Sequence, residues 1–151
     1  MKIKDYISKV VVREACAQLG ISDWSERTDT RVPVEEAEII LDKVKPPDLD
    51  IDLEEFRKGL EVELEHGTMF KDANVTNNHP LLTGKIVVAH FREMLDYYLR
   101  LEVAEIEGDI FKALLAGDPE KAAAKRRKLS RAHLELAQWE ERQFEAARGE
   151  E

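Results

Sequence analysis

From Ile86 to Leu115 the chain carries a nearly continuous pattern of large apolar residues, and no proline falls between Pro80 and Pro119. Ile86, Val87, Val88, Phe91, Met94, Leu95, Tyr97, Tyr98, Leu101, Val103, Ile106, Ile110, Phe111, Leu114 and Leu115 fall on almost every side of a helix. A helix apolar over so much of its girth is normally surrounded by neighbours. Thirty helical residues span about 45 Å, the diameter of a small domain. The stretch is therefore expected to be the central element, with Gly108-Asp109 as the place for a kink. Ala116-Gly117-Asp118-Pro119 reads as a tight connection, with Asp118 capping and Pro119 opening a last helix to about Arg148. The two rods, about 80–116 and 119–147, predict a long antiparallel hairpin.

The rest of the chain reads as three shorter helices. The first is expected over about Lys4 to Leu19, with Ile7, Val10, Val11, Ala15 and Leu19 inward and Gly20 as its stop. A connector follows, with Trp24 tucked against the body. Pro33 suits the start of a helix over Val34 to Val44, whose buried stripe is Ala37, Ile40 and Leu41, and Pro46-Pro47 ends it. Asp50 or Asp52 caps the next helix, which presents Leu53, Phe56, Leu60 and Leu64 on one face. It is expected to reach about His66 and to stop at Gly67. Residues 68–78 read as a polar surface crossover. Asn78 or His79 then caps a helix with Pro80 in its first turn. With only seven glycines and five prolines, mostly between these segments, the expected fold class is all-α. Residues 1–151 are expected to form a single domain, a helical bundle organised on the long hairpin.

Charge narrows the range of partners. The net charge is −9, and an acidic surface repels phosphate backbones, so nucleic acid is not expected. The basic run Lys125-Arg126-Arg127-Lys128 lies inside a helical pattern and reads as a solvated face. One cysteine, Cys16, rules out an internal disulfide framework and reads as a small buried hydrophobe. Met1 to Tyr6 lacks an apolar signal core, and no stretch approaches the roughly 18 uncharged apolar residues of a membrane span. A soluble, cytoplasmic protein is expected.

One constellation carries chemistry. Glu63 and His66 stand three residues apart, and His90 and Glu93 repeat the pair in reverse order. Residues at i and i+3 share a helix face, so each pair reaches one point. On antiparallel neighbours the reversal would restore the spatial order. Two carboxylates and two imidazoles could then gather as part of a ferritin-like site for iron, manganese or zinc. Glu61, Glu65 and Asp96 lie nearby in sequence as further carboxylates. The competing reading has His66 bonding a helix-end carbonyl and His90 bonding Glu63 or a tyrosine in the core. There is no glycine-rich phosphate loop, no Gly-x-Ser-x-Gly and no Cys–His pairing, so no nucleophilic mechanism is indicated.

The same region carries a resemblance. Phe56 to Leu60, Val62 to Gly67, Asn74-Val75-Thr76, Thr83 to Val87, Ala89-His90 and Glu93 to Tyr98 follow the pattern VELEHG…TGKIxxAHxxExxDYYxRL. The chain thus resembles, over about residues 50–102, a small uncharacterised protein family of bacteria, archaea and phages. The resemblance implies no activity. The N-terminal segment and the last helix are not clearly part of the pattern.

Residues 103–136 would expose apolar surface unless a second copy covered them, so a homodimer or higher oligomer is expected. Two readings of function stand. One is a non-catalytic oligomeric assembly or adaptor protein. The other is a metal-binding protein using Glu63, His66, His90 and Glu93, with an oxidoreductase or metal-storage role.

Overall fold

The computed structural model describes residues 7–70, 72 and 74–149, and among them it contains six α-helices and no strand. The all-α class is as expected.

α1 (Lys9–Leu19) begins where Ser8 Oγ accepts from the Val11 amide at 3.3 Å, which satisfies one of the first turn's orphan donors. Gly20, at φ +72°, closes it, and the Ile21 amide bonds the Cys16 carbonyl at 3.1 Å. The expected start at Lys4 lies outside the described residues, and Ile7 and Ser8 precede the helix. The buried face is also shifted: Val12 and Cys16 point inward, while Val10 and Val11 are exposed. The shift follows from what α1 packs on. The Trp24 amide donates to Cys16 Sγ at 3.4 Å, so the 3₁₀ turn Trp24–Glu26 selects the face carrying Cys16. Burial raises the Cys16 thiol above its ordinary pKa, as suits a small core residue.

Trp24 is fully buried, and its indole Nε1 donates to Glu36 Oε2 at 2.8 Å. Glu36 lies in the first turn of α2 (Val34–Val44), and its other oxygen accepts from the Ser22 amide at 2.9 Å. Burial by itself would raise the Glu36 carboxyl. The Trp24 and Ser22 hydrogen bonds, with the Arg27 charge beside them, outweigh it and hold the group below its ordinary value. Ala37, Ile40 and Leu41 form the buried stripe of α2.

α3 (Leu53–Met69) is capped by Asp52, which accepts from the Glu55 amide at 3.0 Å. It buries Phe56, Gly59, Leu60, Leu64 and Gly67. The helix does not stop at Gly67 as expected but runs on to Met69. Gly67 is a packing glycine: a methyl group there would overlap the buried Asn78 Oδ1. The loop folds back onto that spot. Asn77 and Asn78 take left-handed backbones, at φ 50° and 62°, and Asn74 Oδ1 accepts from the Asn77 amide at 2.8 Å. Gly67→Ala is expected to cost about 1–3 kcal/mol by overpacking, less the roughly 1 kcal/mol of helix propensity it gains. Gly108→Ala, with nothing within 4 Å of the added carbon, is expected to stabilise by up to about 1 kcal/mol. Opposite shifts in urea midpoint test the pair.

α4 (Pro80–Glu93) starts with Pro80 after His79, and the His79 carbonyl accepts from the Thr83 amide at 2.9 Å. Gly84 sits where α4 meets α2 and α3. A methyl group there would stand 2.8 Å from Ile40 Cγ2 and 3.3 Å from Phe56 Cζ.

The single long helix expected over 80–116 is in fact two. Met94, at φ −162° and ψ 137°, leaves the helical backbone, and α5 (Tyr97–Leu115) starts afresh. Asp96 explains the restart. It stands at the N-terminal end of α5, where a carboxylate meets the positive end of the helix dipole, and it pairs with Arg100 at 2.6 Å.

Contacts divide the chain into two compact units, residues up to Leu95 and residues from Asp96 onward. The first holds α1 to α4 and the core around Trp24, Ile40, Phe56, Leu60 and Leu64. The second holds α5 and α6 (Pro119–Gly149), joined through Gly117 at φ +69° and the Asp118 cap. Lys125 bonds Asp109 and Arg100 bonds Glu140, each at 2.6 Å. The partner numbers rise on one helix as they fall on the other, so the two run antiparallel. The expected hairpin is therefore shorter on one side, 19 residues against 31, and residues 141–149 are exposed throughout.

Candidate functional site

All four residues proposed from sequence lie in the first unit. Glu63 projects from the third turn of α3, His66 one turn later, and His90 and Glu93 from the last turn of α4. The i, i+3 spacing brings each pair together. His66 Nδ1 stands 3.3 Å from Glu63 Oε2, and His90 Nδ1 stands 3.9 Å from Glu93 Oε2. The helices then join the pairs, because His90 Nε2 stands 3.5 Å from Glu63 Oε1. Glu63 is the centre of the arrangement, its side chain 8% exposed and each oxygen facing a different imidazole.

The order is a line, His66–Glu63–His90–Glu93, rather than a shell. His66 and Glu93 are 62% and 64% exposed and stand at its two outer ends. Among the described residues no group of three His, Cys, Asp or Glu side chains is arranged to hold a metal ion. The helix register is also not that of a simple antiparallel pair. Phe56 approaches Gly84, while Glu63, two turns further along α3, approaches His90, further along α4. The contacts advance in the same direction on both helices.

The line has clear chemistry of its own. A carboxylate taken out of water is costly unless it is paired, and the two imidazoles supply the pairing. Two of the further carboxylates named from sequence, Glu61 and Asp96, do other work. Glu61 accepts from the Val32 amide at 3.0 Å and from Arg57 at 2.7 Å, which pins the connector to α3. Asp96 belongs to the second unit and pairs with Arg100. Burial lowers the pKa of His79, and among the described residues its Nδ1 has no hydrogen-bond partner.

Several residues of the family-like string turn out to be structural. Gly67 admits Asn78, and Gly84 admits Ile40 and Phe56. Beside the string, Asn77 Nδ2 donates to the Ile7 carbonyl at 3.2 Å. The Asn-x-x-Asn-Asn spacing was a signal for this loop, since asparagine both bonds nearby backbone and tolerates left-handed conformations.

The protein is thus an all-helical chain whose acid–histidine cluster bridges two helices of its first unit. It belongs to the family described as proteins of unknown function, DUF5661, which it matches over residues 12–107. The match takes in α2 to α4, most of α1 and the first part of α5, so the N-terminal segment is included beyond the 50–102 stretch, while α6 lies outside. No curated protein and no solved structure matches the chain. No helix among the described residues is long and apolar enough to cross a membrane.

Proposed function

We propose that the chain is a non-catalytic assembly protein whose α5–α6 hairpin makes the contact between copies. The supporting observation is the uncovered apolar surface of that hairpin: Phe111, Leu114, Leu115, Leu134 and Phe144 are all exposed. Two antiparallel helices own one shared seam, and these large apolar side chains lie outside it. Such surface usually marks an association site. Light scattering of the full chain across micromolar concentrations is expected to give a mass above 17.3 kDa. A constant monomer mass overturns the proposal.

A second reading is favoured by one observation, the Glu63 carboxylate held between two imidazoles at 3.3 and 3.5 Å. In it Glu63, His66, His90 and Glu93 take up a divalent iron, manganese or zinc ion. The exposed His66 and Glu93 side chains would turn inward, since ligands of such ions stand about 2.0–2.2 Å from the metal. Elemental analysis of untagged protein tests it. Stoichiometric metal, lost in a His66→Ala/His90→Ala variant, supports the reading, and metal-free protein after growth in supplemented medium overturns it.

A further inference from the structure

The outward face of α6 has a distinctive charge order. Ala122, Ala132 and the half-buried Leu129 and Leu136 mark the seam toward α5. On the opposite side, at helical spacing, lie Arg127, Arg131, Leu134, Gln138, Glu141 and Glu145, all exposed. Two arginines precede Leu134 and two glutamates follow it. Each like-charged pair is spaced i, i+4, which is mutually repulsive on an isolated helix. Among the described residues none of the four charges enters an ion pair, whereas the seam side is laced by Lys125–Asp109 and Arg100–Glu140.

We propose, resting on the self-association reading above, that this face packs against the same face of a second copy, antiparallel, about a two-fold axis at Leu134. Arg127 lies seven residues before Leu134 and Glu141 seven after it. The two-fold therefore sets each Arg127 opposite Glu141 of the other copy and Leu134 against its own equivalent. Ser130 and Gln138, four residues on either side, come opposite each other as two side chains able to hydrogen-bond. Alanines at 123, 124 and 137 let the backbones approach closely. A parallel pairing sets arginine on arginine and glutamate on glutamate, so charge selects the antiparallel arrangement. A contact of this kind is isologous and closes at two copies.

A charge swap in the full chain tests it. Arg127→Glu and Glu141→Arg are each expected to weaken the dimer at least about tenfold, and the double variant to return to within about threefold of the parent. Leu134→Glu, which sets two carboxylates on the axis, is expected to leave monomer at micromolar concentration. The positions are exposed, so circular dichroism should not change. Affinity should fall with added salt, as ion pairs are screened. A dimer indifferent to all four variants overturns this geometry and leaves self-association intact through another surface, such as Phe111 and Leu115. A parent assembly larger than two copies overturns it as well. A parent that stays monomeric overturns both readings.

Discussion

Phe56→Ala is expected to cost about 3–5 kcal/mol of stability, the usual range for deleting a buried aromatic ring. Phe56 is fully buried on α3, and its ring tip reaches the place where α4 crosses at Gly84. Ile40 and Val44 of α2 close in on the same glycine, so the crossing is tightly packed. Whatever cavity the ring leaves adds its cost to the lost transfer energy. Against a typical total of about 5–15 kcal/mol, such a loss brings the first unit close to unfolding. Urea titration should show a much lower midpoint with little change in slope. A loss below about 1 kcal/mol would mean that the crossing is loosely packed. Gly84→Ala provides the converse test. It overfills the same point, and in a Phe56→Leu background its cost is expected to shrink, since the ring tip that crowds it has gone.

Trp24→Ala should be of similar size, about 3–5 kcal/mol, and it carries a second signature. The indole packs under the Arg27 guanidinium, which lies 5.0 Å from the ring centre, and donates to Glu36. Trp24→Phe keeps much of the packing and removes the donor, so it isolates the hydrogen bond to a charged acceptor, worth about 1.5–3 kcal/mol. The pH dependence has a definite sign. The Glu36 carboxyl is held below its ordinary value of 4.5 in the folded chain. Its contribution to stability is therefore fully present above pH 4.5 and is lost as pH falls from there through the folded value. In Trp24→Phe the carboxyl loses one of the groups that depress it. The stability gap between parent and variant should then be widest near neutral pH and should narrow below pH 4.5. A gap independent of pH would show that the indole acts through packing alone.

The helices that were readable from sequence had strong local punctuation. α2 runs from Val34 to Val44 with Ala37, Ile40 and Leu41 buried, as its period and flanking prolines predict. Asp52, Pro80 and Asp118 all stand at helix starts. What was not readable lacked such signals or carried misleading ones. No glycine or proline marks the break at Met94, where an extended backbone and the Asp96–Arg100 pair divide what looks like one rod. Gly67 looks like a stop and is a docking point for Asn78, a role set by a loop eleven residues away. The face of α1 depends on Trp24, which lies in another element. At the candidate site the two i, i+3 couples were legible, because helix geometry alone joins their members. That Glu63 spans both imidazoles was not, since it depends on how α3 and α4 cross.

The final nine residues of α6, exposed at every position, bear on how evenly the chain resists opening. With every side chain of this segment exposed, deuterium should enter there on the timescale of fraying, long before it reaches Leu60 or Ile106. A neighbouring molecule lying along this tail would slow that uptake from its inner turns first, and the gradient would record how far along the rod the shelter extends.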